Sequence, residues 1–417
     1  MPRGAKRVPF DLARVRVRHD GALGPEAYRI DVARHDALLT AGGPAGEFYG
    51  RGTLEALGPD LPLGTISDSP RFAWRGVMLD VARHFMPVEF VLRLVDLMAS
   101  HKLNVLQLHL TDDQGWRLPV ARYPRLTETS GEHYSRDDLR RIVDHAAARF
   151  VSVVPEVGVP GHVQAALAAY PELGNDPGRR LDVWRSWGIS RHTLNLEEST
   201  LAFFRHVLDE VADLFPARHV HLGGDECLPD EWAASPRALR RVAELGLAGP
   251  HEARAWFTAQ MADHVRSLGR VPVYWYEKDD GPAGAVAMTW LDEDSGAAAA
   301  AGGRDVVLTP HLRTYFDYPT AYEDGPFAPD RILPLRQAYA FDPPTSVAGA
   351  GRILGIQAQL WSEYLPTPAD VERRAFPRLS AFAEVAWGTA DDYEDFLLRL
   401  PGHLRRLGLS ARYEQGA

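Results

Sequence analysis

Asp225 and Glu226 stand side by side behind the run "HVHLGG", His219 to Gly224. Adjacent carboxylates repel, and on a regular strand successive side chains point to opposite faces. The bland use of such a pair is one acid capping the next helix while the other faces solvent. Two glycines, however, reach dihedrals closed to other residues, so a kink at the strand end can turn both carboxylates into one site.

Other short apolar runs also end in residues able to do chemistry: Asp80 and Arg83, Asp112 and Asp113, His162, Trp275 and Glu277, Trp290, Tyr315 and Asp317, Trp361 and Glu363. Trp and Tyr are usually core. At a strand end, though, indoles offer flat walls for the C–H face of a sugar, with Asp317 and Glu363 placed to take hydroxyls at its edge. The planar fork of Arg83 suits two vicinal hydroxyls as well as a surface ion pair. His162, in "PGH", is a proton-tuning partner if a carboxylate lies near it. A metal centre is the chemical rival, since His109, His162, His219, His221 and Asp225 are the right ligand types. No HExxH or CxxC spacing supports it, and His219 and His221 lie upstream of the strand end.

These side chains need a frame that brings many strand ends together. From Arg75 onward eight apolar runs recur: "GVMLDVAR", "NVLQLHLTDD", "VSVVPEVGVPGH", "HVHLGGDE", "VPVYWYE", "AVAMTWL", "DVVLTPHLRTYFD" and "ILGIQAQLWSE". Helical patterns separate most of them, as in "PVEFVLRLVDLMASHK", "SRDDLRRIVDHAAARF", "EARAWFTAQMADHVRSLG" and "VERRAFPRLSAFAEVAW". Val91, Leu94, Val95 and Met98 repeat at helical spacing opposite Glu89, Arg93 and Asp96. The pattern predicts an α/β protein with a (β/α)8 TIM barrel over residues 71–417, ending in a helical C-terminal stretch. An open doubly wound sheet would want a glycine-rich phosphate loop after the first strand, and none is there.

Residues 1–70 hold strand-like pieces, "RVRVRH" and "AYRIDVA", and a helical piece around "FYGRGTLEAL". They read as a small α+β accessory domain that packs on the barrel, joined to it through the turn-rich "LPLGTISDSPRFAWRG". The 417 residues are 45% hydrophobic and 24% charged with a net charge of −10, which speaks against nucleic acid or an anionic membrane as partner. One cysteine excludes an internal disulfide. The basic N-terminus lacks a signal-peptide core, and no apolar run approaches a membrane span, so a cytoplasmic location is expected unless an export signal has been removed.

The segments "DVARHFMP", "LHLTDDQGWR", "PEVGVPGH", "HLGGDE", "VYWYE", "TYFD" and "LWSE" together resemble glycoside hydrolase family 20, the exo-acting β-N-acetylhexosaminidases, over about Arg75 to Trp387. The resemblance implies Glu226 as general acid/base and Asp225 as the residue that orients the substrate's acetamido group. It implies Tyr315 as donor to the acetamido oxygen, and Arg83, Asp317 and Glu363 as binders of the outer hydroxyls. Trp275, Trp290 and Trp361 would wall the acetamido methyl and the ring, and Asp112 and His162 would tune the acid. It implies no metal and no cofactor, and a partner that is an oligosaccharide or glycoconjugate with a terminal N-acetylhexosamine.

Two positions depart from the family pattern: Gln107 stands where a histidine is common, and Gly158 where an acid is. Cys227 reads as a small packed residue. Loops 164–195 and 228–250 would build the leaving-group side. An ionised Asp225 is expected to raise the pKa of Glu226. Two alternatives stay open: a glycosidase with an enzyme nucleophile, and a catalytically silent sugar-binding barrel.

Overall fold

The computed structural model describes residues 6–278, 281–321, 330–347, 349–388 and 390–410. Each of the eight apolar runs contributes a strand, numbered here β1 (Trp74–Asp80), β2 (Val105–His109), β3 (Ser152–Glu156), β4 (His219–His221), β5 (Val271–Tyr276), β6 (Val286–Thr289), β7 (Val306–Leu308) and β8 (Ile353–Leu360). All pair in parallel with their neighbours, and β8 pairs with β1 through Gly355↔Trp74 to Leu360↔Leu79, closing the barrel. Parallel strands covered by helices are buried on both faces, which is why every residue of β1 is buried.

The helix α1 (Val88–Ser100) buries Val91, Leu94, Val95 and Met98 and exposes Glu89 and Asp96, as the spacing requires. In α2 (Arg136–Ala147) Asp138 caps the helix start. Its carboxylate accepts from the Ser135 backbone N–H at 2.9 Å, while Ser135 Oγ accepts from the Asp138 N–H at 3.1 Å. This reciprocal cap satisfies two donors at the helix start. The alanine-rich stretch forms α3 (Glu293–Ala301), capped by Asp292. The pattern "VERRAFPRLSAFAEVAW" suggested one helix, but the chain forms Pro368–Ala375 and then α4 (Arg378–Trp387). Pro377 has no N–H to continue the first helix. Among the described residues no helix separates β5 from β6.

The barrel interior is not purely aliphatic. Beside Val105, Val154, Val273, Val286, Met288 and Val307 runs a chain of amides. Trp74 Nε1 donates to Gln357 Oε1 (3.0 Å), Gln357 Nε2 to Gln107 Oε1 (2.8 Å), and Gln107 Nε2 to Glu156 Oε2 (2.7 Å). Gln107 therefore belongs to this interior chain.

The N-terminal residues form a four-stranded sheet in the order 16–19, 37–41, 28–32, 64–68, covered by a helix, Pro44–Leu57. The strand Gly64–Asp68 lies inside the stretch expected to be only a junction. Its turn-forming composition hid an edge strand whose partner, Tyr28–Val32, is far upstream. Arg75, fully buried, binds Glu26 at 2.6 Å and the Phe72 carbonyl at 2.7 Å. Asp68 accepts from Lys102 Nζ (2.8 Å) and Trp387 Nε1 (2.7 Å), and the Trp387 ring packs 5.2 Å from Tyr49. The small sheet thus completes its core with a barrel tryptophan.

Candidate active site

The kink after β4 is real. Gly223, Gly224 and Glu226 have φ of 63°, 95° and 48°, all left-handed. A Cβ on Gly223 would come within 2.8 Å of the Gly158 Cα, so close approach of two backbones adds to the conformational demand there. Gly158, one of the two departures from the family pattern, supplies that flat surface. The turn is held from outside: the Glu226 N–H donates to Glu277 Oε1 (3.2 Å). Arg254 bridges Glu277 Oε2 (3.2 Å) and the Gly224 carbonyl (2.8 Å).

Both acids consequently reach one imidazole. His162 Nε2 lies 3.4 Å from Glu226 Oε2 and 3.8 Å from Asp225 Oδ2, and its Nδ1 lies 3.2 Å from Asp112 Oδ1. Asp112 Oδ2 takes His109 Nε2 at 2.8 Å and Arg83 Nη2 at 2.9 Å. A line of alternating charge therefore runs from Glu226 through His162 and Asp112 to Arg83. Burial works against the charge on His162, but Asp112, Asp113 and Glu226 hold its pKa well above the ordinary imidazole value. Burial also opposes the Asp112 anion, and Arg83 and His162 overcome it, leaving its carboxyl well below the usual range.

Asp225 behaves differently. Burial pushes its carboxyl up to about 7, with His162 pulling the other way and Glu226, Glu156 and Glu277 adding to the rise. Asp225 is also the deeper of the two side chains. Relative exposure is 19% for Asp225 against 33% for Glu226.

The floor of the site is a network that sequence reasoning missed. Glu156, at the end of β3, accepts from Trp275 Nε1 (2.8 Å) and Gln107 and lies 2.7 Å from His109 Nδ1. Burial opposes its charge, but His109 and His221 bring its pKa down to about 2, and His109 itself rises to about 10 despite burial. The motif "PEVG" marks a strand end just as "HLGGDE" does, and that was the available signal. Trp275 is buried and bonded to Glu156, so it is floor more than wall.

Trp361 stands over this floor, 5.8 Å from Trp275 and 6.2 Å from Tyr315, with the Arg83 guanidinium 4.9 Å above its ring. Tyr315 is buried beside it, and burial holds its phenol well above the ordinary value. Trp290 is half-buried and packs against the same cluster. Burial, with Glu363 nearby, raises the Asp317 carboxyl well above its usual value. Burial also raises Glu363, which Arg83 partly offsets. Asp317 Oδ1 and Trp290 Nε1 are buried polar atoms with no hydrogen-bond partner among the described residues. Such orphans cost about 1–3 kcal/mol each unless a ligand pairs them.

Asp80 is structural: it accepts from the N–H groups of Ala82, Arg83 and Ser362 and so fixes the loops of β1 and β8. Cys227 packs against the core, its thiol pushed up to about 12 by burial. Ligand atoms of Asp112, Asp113 and His162, and of His162, Asp225 and Glu226, come within 4.8 Å of one another. Arg83 already lies on Asp112, taking the place a cation would want. His221 faces Glu156 and His219 packs on Trp74, both below the rim.

A barrel rim that can seat a sugar ring on indoles and handle a proton at its edge has the equipment of a glycoside hydrolase. Residues 72–390 match the model of the glycosyl hydrolase family 20 catalytic domain, and residues 4–69 match that family's domain 2. The chain belongs to glycosyl hydrolase family 20 and is a glycoside hydrolase.

A β-hexosaminidase of Porphyromonas gingivalis is 36% identical over 93% of this chain, which spans 54% of that relative's length. A β-N-acetylhexosaminidase of Cellulomonas fimi is 34% identical over 94% of this chain and 80% of its own. Among solved structures, the Streptomyces plicatus N-acetyl-β-hexosaminidase in complex with Thio-NAglucal superposes with a TM-score of 0.84 at 32% identity. That match covers 96% of this chain and 85% of the other. No helix among the described residues is long and apolar enough to cross a membrane.

Proposed function

We propose that the chain is a retaining exo-β-N-acetylhexosaminidase that removes terminal β-linked GlcNAc or GalNAc by substrate-assisted catalysis. The observation that carries this reading is the convergence of Asp225 and Glu226 on one side of His162, at 3.8 and 3.4 Å. A glycosidase with its own nucleophile sets two carboxyls about 5–5.5 Å apart across the bond, and family 20 is an exception to that plan. With neighbouring acids, the substrate's acetamido oxygen can serve as the nucleophile.

Glu226, the more exposed acid, protonates the leaving oxygen as the acetamido oxygen attacks the anomeric carbon. Asp225 accepts the acetamido N–H and stabilises the positive charge of the oxazolinium ion, while the Tyr315 hydroxyl donates to the attacking oxygen's side of the group. Glu226 then takes a proton from water as that water attacks the anomeric carbon from the face the leaving group vacated, breaking the bond to the acetamido oxygen, and the two inversions give net retention. Catalysis needs one proton on the pair, with Asp225 ionised. The acetamido N–H favours that form once substrate is bound. Arg83, Asp317 and Glu363 hold the outer hydroxyls, which would pair the orphaned Asp317 Oδ1, and Trp361 and Trp290 flank the ring.

The test is hydrolysis of p-nitrophenyl N-acetyl-β-glucosaminide and its galacto epimer, with the first-formed anomer read by NMR. Release of the β-anomer, and inhibition by a GlcNAc-thiazoline, are expected. Tight sugar binding without turnover would make the barrel a lectin, and insensitivity to the thiazoline would point to an enzyme nucleophile.

A further inference from the structure

Behind the pocket, contacts from three neighbouring strands meet at Glu156. It ends β3, is 1% exposed, and stands in register between His109 of β2 and His221 of β4. Its two oxygens serve different partners. Oε1 accepts the Trp275 Nε1–H from β5 at 2.8 Å, while Oε2 accepts from Gln107 Nε2 and lies 2.7 Å from His109 Nδ1.

Each contact leads on to a group that handles the substrate. Trp275 packs 5.8 Å from Trp361, which flanks the sugar ring. His109 presents its other nitrogen, Nε2, to Asp112 Oδ2 at 2.8 Å, and Asp112 in turn holds Arg83 and His162. Both ring nitrogens of His109 thus face carboxylates. A neutral ring would turn a lone pair on one of them, so the geometry calls for the imidazolium. On the third side His221 Nδ1 lies 3.4 Å from Glu156 Oε1 and accepts the Gly223 N–H at 3.0 Å, at the start of the kink that carries both acids. That nitrogen is an acceptor, so the imidazolium facing Glu156 is His109.

A floor built only for packing could be apolar, since a buried ion pair often stabilises no more than apolar side chains of like volume. What the pair adds is direction. We infer that Glu156 is a positioning residue that sets the acetamido seat and the proton-handling line from a single carboxylate. Oε1 fixes the Trp275 indole, and Oε2, through the His109 imidazolium, fixes Asp112. This inference rests on the hexosaminidase reading. In that reaction the acetamido oxygen must meet the anomeric carbon as Glu226 meets the leaving oxygen, so a common anchor keeps the two alignments in step.

The experiment measures kcat and KM for p-nitrophenyl N-acetyl-β-glucosaminide, and Kd for GlcNAc-thiazoline by calorimetry. Wild type, Glu156→Gln, Glu156→Ala, Trp275→Phe and the double variant Glu156→Ala/Trp275→Phe are compared. Glu156→Gln keeps an oxygen for the indole but takes the anion from His109. KM and Kd should then stay within about threefold of wild type while kcat falls about tenfold. Glu156→Ala removes both arms, and Kd should weaken roughly tenfold as well. Trp275→Phe loses only the N–H end of the indole. It should raise KM about fivefold on its own but less than about twofold beside Glu156→Ala, where the bond is already gone. Glu156→Gln keeps the shape and decides the matter if the alanine variant does not fold. Three results overturn the role: Glu156→Gln equal to wild type, kcat and KM worsening together in it, or full additivity in the double variant. A wild type that neither hydrolyses the glycoside nor binds the thiazoline overturns the hexosaminidase reading, and this role with it.

Discussion

His162 and Glu226 face each other at 3.4 Å, and both hold left-handed backbone, with φ of 54° and 48°. Neither is a glycine, so each conformation costs on the order of 1 kcal/mol and persists because its surroundings enforce it. Asp112 holds the far nitrogen of His162, and Glu277 holds the N–H of Glu226. Strain is thus located where the proton is to be handled, and the second layer of side chains maintains it.

Replacing Glu226 with Gln removes the proton donor while keeping its shape. Substrates with poor leaving groups, such as chitobiose, should lose roughly 100- to 10,000-fold in kcat/KM, and an activated dinitrophenyl glycoside far less. Equal losses across a leaving-group series would remove Glu226 from the role of acid.

Asp225→Asn should lower kcat on N-acetylated substrates by roughly 100- to 1,000-fold, since it removes the charge that meets the oxazolinium ion. The same variant has a signature in stability. The folded pKa of Asp225, about 7, lies above the ordinary aspartate value of 3.8, so its stabilising contribution is complete below 3.8 and is lost as pH rises through 7. Asn does not titrate. The unfolding free energy of the variant minus that of wild type should therefore rise by about 2 kcal/mol from pH 5 to pH 8, as calorimetry would record. A flat difference would mean that Asp225 is not held near neutrality.

His162 is the cation that holds Asp225 down, and His162→Gln removes it. Asp225 should then titrate higher, and the acidic limb of the kcat/KM profile should move to higher pH by about one unit. Loss of rate with no movement of the limb would reduce His162 to a packing residue.

Glu26→Ala leaves the buried Arg75 guanidinium without its carboxylate at the seam between the small sheet and the barrel. Stability should fall by about 2–4 kcal/mol in urea unfolding, with the partial exposure of Glu26 keeping the loss below that of a fully buried pair. The seam is remote from Asp225, so KM on an aryl glycoside should stay near the wild-type value. A large change in KM would mean that the small sheet shapes the pocket.

Much of this molecule was readable in one dimension. Parallel strands buried on both faces must be written as short apolar runs, and the rim of a barrel must place its reactive residues at their ends. Arg83, Asp112, His162, Asp225, Glu226, Tyr315, Asp317, Trp361 and Glu363 were found that way. The residues that escaped act through partners distant in the chain. Glu156 meets Trp275 across 119 positions, and Arg254 reaches back to Gly224. The edge strand Gly64–Asp68 escaped for the same reason, because a strand is defined by what it pairs with as much as by its own residues.

Sequence by itself determined the barrel, the location of its site and the kind of chemistry gathered there, since period, strand-end chemistry and motif order are local properties. Only the tertiary structure decided how protons are apportioned. Burial depth raises Asp225 to about 7, with His162 opposing and Glu226, Glu156 and Glu277 adding to the rise, and neither depth nor distance is written in the order of residues. The structure also turned Trp275 into a floor bonded to Glu156, because desolvation and long-range contacts exist only after the chain has closed.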